Sequence, residues 1–233
     1  MKTTIANNTD YDYFTERDYL KELHKESNPA EDFLPLLGTD HVEFYVGNAR
    51  QAAYYYQQAF GYRLAAYSGP ETGVRGKASY LLEQGKIRLL LTSSLEPNSE
   101  ISEHVRIHGD GVKVLALCVN DATSAFNETV RRGAQPVHEP YRLEDRYGEV
   151  VLSSIRTYGS TIHTFAERKN YTGPFLPGFT AVTLAPLAPS TGLKYIDHCV
   201  GNVPLGEMDQ WIRFYEEVMG FRLLVTFDDK DIS

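Results

Sequence analysis

The chain has 233 residues, 42% hydrophobic and 23% charged, which suits a globular protein long enough to bury a real core. A formal net charge of −8 leaves no dominant basic field, so neither nucleic acid nor an anionic membrane is an expected partner. No stretch approaches the roughly 20 apolar residues of a membrane span, and the N-terminus has no apolar run of the signal-peptide kind, so a soluble, cytoplasmic protein is expected. The two cysteines, Cys118 and Cys199, lie in apolar strand-like runs and are expected as buried free thiols.

Residues 1–34 are polar and read as a tail, whose most helix-like stretch is 11–24. Residues 41–46 are rich in β-branched and aromatic side chains and predict a strand. Asn48 can cap a helix over 49–59, with Ala52, Tyr55, Tyr56, Ala59 and Phe60 as its apolar face. Gly61 suits the left-handed residue that ends it. Strands over 62–67, 78–83 and 87–92 follow, the last two joined by a hairpin at Gln84-Gly85-Lys86. The order is βαβββ.

The order then recurs. Residues 112–119 predict a strand. Asp121 can cap a helix over 122–132 with Ala122, Ala125, Phe126, Thr129 and Val130 inward, and Gly133 ends it. A strand over 135–138 and a hairpin of 150–155 with 161–166 complete the second βαβββ unit. Residues 171–192 are dense in Pro and Gly and read as an irregular linker. A third unit begins with a strand over 193–200, a helix over 207–219 and a strand over 221–227. Trp211, Phe214 and Met219 lack an obvious core, so this unit is expected to open a further domain. The fold class is α+β, with tandem βαβββ modules and a truncated third. The expected division is a tail (1–34), an N-terminal domain of two modules (35–170), a linker (171–192) and the start of a C-terminal domain (193–233).

The first and third units share a motif. One reads Asp40-His41-Val42-Glu43-Phe44-Tyr45-Val46-Gly47-Asn48, then Phe60-Gly61-Tyr62-Arg63-Leu64. The other reads Asp197-His198-Cys199-Val200-Gly201-Asn202-Val203, then Met219-Gly220-Phe221-Arg222-Leu223. A histidine at a strand start is more often structural than a ligand. His41 is read as structural, because the second module offers only Lys113, Val114 and Leu115 at the matching strand, and His163 and Glu167 do not compensate. The N-terminal domain is therefore expected to be metal-free. Asp197 resembles a partner that orients a ligating histidine, but strand neighbours point to opposite faces, so a turn role is expected. His104 and His108, four residues apart, are expected in a surface turn before Gly109-Asp110-Gly111 rather than as a zinc pair. Tyr54-Tyr55-Tyr56 is expected to pack on the sheet as a helix face. Ser153-Ser154 lacks a nucleophile-elbow context, and Gly109-Asp110-Gly111 is not a phosphate loop.

Tandem βαβββ modules with a candidate metal ligand opening a module resemble the vicinal oxygen chelate superfamily, the fold of glyoxalases and extradiol dioxygenases. The string Ile196-Asp197-His198-Cys199-Val200-Gly201-Asn202-Val203, followed by Met208-Asp209-Gln210-Trp211-Ile212-Arg213-Phe214-Tyr215, is very similar to the bacterial 4-hydroxyphenylpyruvate dioxygenase family. So are Val46-Gly47-Asn48-Ala49-Arg50-Gln51-Ala52-Ala53-Tyr54-Tyr55, Ala66-Tyr67-Ser68-Gly69-Pro70-Glu71 and His108-Gly109-Asp110-Gly111-Val112. The linker string Tyr171-Thr172-Gly173-Pro174-Phe175-Leu176-Pro177-Gly178 matches too, and the resemblance covers about residues 35–233.

The resemblance implies an Fe(II) enzyme that converts 4-hydroxyphenylpyruvate and O2 to homogentisate and CO2 in tyrosine catabolism. It implies iron held by two His and one Glu, a set that leaves positions open for substrate and oxygen. The motif match reverses the structural reading for His198 and makes it the first ligand. The other His and the Glu are expected beyond Ser233, and the chain alone is expected to be inactive. No catalytic residue within 1–233 and no substrate contact is assigned. The expected partners are the small-molecule substrate, O2 and further copies of the chain in a homo-oligomer. The alternatives are a 4-hydroxymandelate synthase, which shares fold, metal and substrate, and a non-enzymatic ligand-binding module of the same superfamily.

Overall fold

Strand β1 (Leu36–Tyr45) alternates its side chains as a pleated strand requires. Val42 and Phe44, with Val46 just past the strand, join one core cluster, while His41, Glu43 and Tyr45 line a cavity on the opposite face. In the computed structural model, which describes residues 32–224, that strand is the centre of a 9-stranded sheet. The helix expected over 11–24 and the end of the strand expected over 221–227 lie outside the described residues.

The first module runs β1, α1 (Ala49–Phe60), β2 (Arg63–Ser68), β3 (Lys77–Gln84) and β4 (Ile87–Ser94). The second runs β5 (Gly111–Val119), α3 (Ala122–Arg131), β6 (Pro136–Asp145), β7 (Gly148–Arg156) and β8 (Ile162–Glu167). The sheet order is β6-β7-β8-β5-β1-β4-β3-β2-β9, with β9 a two-residue strand, Thr180–Ala181. Each module pairs its first and fourth strands in parallel, β1 with β4 and β5 with β8, and the modules join through antiparallel β1·β5. The expected duplication is therefore present in backbone pairing as well as in sequence.

The caps fall where the sequence places them. The Asn48 side chain accepts from the Gln51 amide at 3.0 Å, and the Asp121 side chain from the Ser124 amide at 2.8 Å. Gly61 is left-handed at φ 67°. The buried face of α1, however, is Ala49, Ala53 and Gln57, flanked by the half-buried Ala52 and Tyr56. Tyr54, Tyr55, Ala59 and Phe60 are exposed, so of the tyrosine run only Tyr56 packs inward. The polar Gln57 was passed over as a core residue. It is accommodated because its amide donates to the Ala53 carbonyl at 3.1 Å.

Three further features differ from expectation. A helix unseen in the sequence, α2 (Glu100–His108), precedes β5, capped by a reciprocal Ser99–Ser102 pair. It carries His104 and His108 on a helix rather than in a turn. Strand β6 extends to Asp145, well past 138, because β7 pairs with it along that length. Residues 193–200 form no strand. Their backbone is held by single contacts instead: the Gln84 side-chain oxygen accepts the Leu193 amide at 3.1 Å, and the Lys194 carbonyl accepts the Lys86 amide at 2.6 Å.

Residues 208–218 are helical, as α4 (Met208–Arg213) and a wider turn, Phe214–Val218. The expected lack of a core here is not found. Val218 and Met219 are buried, and Trp211 packs edge-on against Tyr158 at 5.5 Å. Cys118 is half-buried and Cys199 exposed, both free, because the segment carrying Cys199 never enters the sheet. Among the described residues no helix is long and apolar enough to cross a membrane. Replacing Asn48 by Ala removes the α1 cap and is expected to lower stability by about 1 kcal/mol, read as a lower denaturant midpoint with unchanged slope.

Candidate functional site

Both copies of the Asp-His motif form a hydrogen-bonded pair. Asp40 Oδ1 lies 2.6 Å from His41 Nδ1, and Asp197 Oδ2 lies 2.7 Å from His198 Nδ1. Neighbours on a regular strand should not meet in this way. They meet at Asp40 because the β1·β5 register shifts between Thr39 and His41. They meet at Asp197 because that segment is not a strand, so Asp197 orients His198 rather than serving only a turn. A carboxylate accepts and cannot donate, so each histidine carries its proton on Nδ1 and presents Nε2 outward.

The two pairs sit in opposite surroundings. Asp197 and His198 have side chains 75% and 72% exposed. Asp40 and His41 are almost wholly buried, with side chains 2% and 5% exposed. Arg168, just after β8, closes on Asp40 with its Nε at 2.6 Å and a terminal nitrogen at 2.8 Å. Its other terminal nitrogen donates to the Phe175 carbonyl, and its guanidinium lies 4.8 Å from the centre of the Phe175 ring. Arg88 stands 3.7 Å from Asp40 Oδ2, the oxygen that also takes Arg168 Nε. Burial alone would raise the Asp40 carboxyl. The hydrogen bonds and charges of His41 and Arg168 outweigh it and hold Asp40 well below the usual carboxylate range.

On the cavity face of β1, Glu43 accepts from Thr92 Oγ1 at 2.6 Å, and Glu100 pairs with Lys113 at 2.9 Å. That hydrogen bond to Lys113 holds the Glu100 carboxyl down despite partial burial. His104 is buried against Tyr45 with ring centres 5.4 Å apart, and its Nε2 has no hydrogen-bond partner. Burial, then the His108 and Lys113 charges, keep it less basic than usual.

On the other face, His163 takes Leu115 O at 3.2 Å and Tyr215 Oη at 3.0 Å, tying β8 to the helical segment 208–218. Burial pulls its pKa down to about 4. Sequence reasoning missed both this bond and Arg168. The sequence signal for Arg168 is a cation, followed by Lys169, just past a buried strand.

Among the described residues no group of three His, Cys, Asp or Glu side chains could hold a metal ion. His41, Glu43 and His163 do not converge on one point, and His198 offers a single imidazole. Its held Nδ1 and outward Nε2 fit one ligand of a larger set.

Comparison with known proteins places these residues in context. Residues 31–173 match the family model described as hydroxyphenylpyruvate dioxygenase, HPPD, N-terminal. The chain is 43% identical over 204 residues to the 4-hydroxyphenylpyruvate dioxygenase of Yarrowia lipolytica, covering 84% of this chain and 52% of that one. It is 44% identical over 207 residues to the Caenorhabditis elegans 4-hydroxyphenylpyruvate dioxygenase (85% and 53%), and 44% identical over 201 residues to that of Dictyostelium discoideum (84% and 55%). It thus spans about half the length of the curated relatives it matches. Among solved structures, a triple mutant of 4-hydroxymandelate synthase from Streptomyces coelicolor superposes with a TM-score of 0.67 at 23% identity, over 80% of this chain and 53% of that one. That likeness shows the fold, the tandem βαβββ modules of the vicinal oxygen chelate type.

Two outcomes follow from the buried groups. Asp40 contributes fully above about pH 4, and its contribution is lost only as pH falls through its depressed folded value. Asp40→Asn strands the Arg168 charge and is expected to cost about 3–5 kcal/mol at neutral pH, with Asp40→Leu/Arg168→Met recovering much of it in urea unfolding. His163 acts in the same direction, at higher pH. Between about pH 6.5 and about 4 the unfolded chain takes up a proton that the folded chain refuses, so stability falls with pH by roughly 3 kcal/mol. His163→Gln is expected to flatten that slope.

Proposed function

Because this chain belongs to the hydroxyphenylpyruvate dioxygenase N-terminal family, we propose that it is the first half of an iron(II)-dependent 4-hydroxyphenylpyruvate dioxygenase. The reaction takes 4-hydroxyphenylpyruvate and O2 to homogentisate and CO2 in tyrosine catabolism. The supporting observation is 43–44% identity to enzymes of that name over 84–85% of the chain. On this reading residues 35–170 are the N-terminal domain, 171–192 the linker, and 193–233 the start of the catalytic domain.

His198 is then one of three iron ligands, and the second His and the Glu belong to the part of the relatives' length that this chain does not span. The chain's contribution to the chemistry is narrow and specific. Asp197 accepts from His198 Nδ1, fixes the tautomer and aims Nε2. Bound iron would supply the oxidation itself, and the protein supplies orientation and exclusion of water. The N-terminal domain contributes a rigid support, through the His163–Tyr215 bond and the Trp211–Tyr158 contact under the helix that follows the motif.

The test uses the enzyme in which this chain is joined to the remainder of the relatives' length. Iron content, oxygen uptake with 4-hydroxyphenylpyruvate, and product identity are measured. Homogentisate is expected. Hydroxymandelate would assign the synthase reaction, and absence of both iron and oxygen uptake would leave a ligand-binding module. His198→Ala is expected to lower iron occupancy and to reduce turnover by at least about 100-fold. Asp197→Asn is expected to weaken iron about 10- to 100-fold. Turnover by the 233-residue chain alone would contradict the assignment.

A further inference from the structure

Gln84 ends β3 and is 7% exposed, so it carries a whole amide group out of water. Such a group is tolerated only when its donors and acceptor are used. Both ends of this one are. Its nitrogen donates to the Phe60 carbonyl, at the end of α1, at 2.6 Å. Its oxygen accepts from the Ser190 hydroxyl at 2.7 Å, the Gly192 amide at 2.9 Å and the Leu193 amide at 3.1 Å. A carbonyl on one side and two N–H groups on the other leave the amide one way round. Thr191 Oγ1 donates to the same Phe60 carbonyl at 2.7 Å. One side chain and one carbonyl of the first module thus gather residues 190–193, which form no helix or strand of their own.

The backbone approach around this clasp is close. A Cβ on Gly85 would stand 2.5 Å from the Lys194 carbonyl oxygen and 2.9 Å from that of Leu193. A Cβ on Gly61 would meet the Pro189 carbonyl. The Lys86 amide donates to the Lys194 carbonyl at 2.6 Å, and Ile196 packs against the core cluster of Val46, Tyr62 and Leu89. The chain is therefore held on the first module from Ser190 to Ile196, and the Asp197–His198 pair comes next. Apolar cover alone would let this segment slide. An amide oxygen that meets two successive N–H groups fixes its register, because hydrogen bonds weaken steeply out of line.

We propose that Gln84 is a positioning residue for His198: it fixes the path of residues 190–196 and so the place from which His198 presents its ring. The link to iron rests on the dioxygenase reading, whereas the fixed path does not.

Gln84→Met keeps the length of the side chain and removes the amide. Gly85→Asn tests the same docking from the other side. Asn tolerates the left-handed backbone there, φ 59°, while its Cβ pushes Leu193 and Lys194 away. Gly85 lies in an exposed turn, so the test does not hang on the folding of the Gln84 variant. Ile155→Val, in the core of the second module, controls for lost stability. In the 233-residue chain carrying Cys118→Ser and Gln58→Cys, spin labels at positions 58 and 199, both exposed, report the spread of distances between α1 and the neighbour of His198. A narrow distribution is expected for the parent and for Ile155→Val, and one about twofold broader for Gln84→Met and Gly85→Asn, in which the linker is freed.

In the enzyme joined to the remainder of the relatives' length, those two variants are expected to weaken iron about tenfold, with Ile155→Val close to the parent. A parent distribution as broad as the variants', no broadening in a folded variant, or equal broadening by Ile155→Val would overturn the fixed path. Broadening with undiminished iron affinity would overturn the link to His198. If the joined enzyme holds no iron, the dioxygenase reading fails, and the label distances alone decide the clasp.

Discussion

The Asp40 carboxylate, closed between His41 and Arg168, fixes three parts of the chain at once. It lies near the middle of the central strand, at the register shift that brings its side chain round to its neighbour. Arg168 comes from the end of the last strand of the second module, so the ion pair ties the two modules together beside the β1·β5 seam. The same guanidinium holds the Phe175 carbonyl, and the linker follows from there: Phe175 enters a core cluster with Leu81 and Leu90, and Leu176 and Phe179 cover the cavity. A linker rich in Pro and Gly would otherwise have little reason to adopt one path. One buried cation with all three nitrogens engaged gives it that path.

A duplicated motif therefore yields two different residues. The Asp-His pairs share a hydrogen bond and a tautomer, and only their surroundings differ. In the first copy Arg168 and Phe175 close over the pair, and the second module supplies no further ligands. In the second the pair stands in water on a segment that has not joined a sheet. A histidine ready to ligate must be oriented and accessible, and His198 meets both conditions where His41 meets only the first. Position in the repeat is identical, so the surroundings of the pair, and not its own geometry, separate scaffold from candidate ligand.

Much of this was legible in the sequence because it is local. Period-two alternation marked β1, and the caps at Asn48 and Asp121 and the left-handed Gly61 follow from one residue and its immediate neighbours. What was not legible depends on distant partners. Strand β6 runs to Asp145 because β7 pairs with it there, and the polar run from Glu139 to Asp145 gives no sign of this. Residues 193–200 have a strand's composition but no strand beside them to pair with, so composition misleads. The inward face of α1 was misplaced because Gln57 looks polar, while in the structure its amide is satisfied within the helix. The strand rule gives Asp197 a turn role, but its segment is no strand, and at Asp40 the register shift in β1 lets the same pair form. Arg168, 128 positions from Asp40, is beyond any spacing argument.

A buried ion pair is not by itself evidence of stability, since well-packed apolar groups can often replace one without loss. The Asp40 network differs in how many constraints it satisfies together. An apolar replacement could fill the same volume, but it could not hold the Phe175 carbonyl, seat the linker and fix the His41 tautomer. Those tasks require a fork of donors and an acceptor in fixed geometry, which a guanidinium and a carboxylate supply. The network is thus better understood as specifying one arrangement of linker, seam and histidine than as adding net energy. It keeps the His41 ring turned so that Nε2, and not Nδ1, faces the cavity. Without that orientation the first copy of the motif would be an ordinary buried histidine. With it, the first module keeps the same Asp-His pair as the second copy, closed over by Arg168 and Phe175.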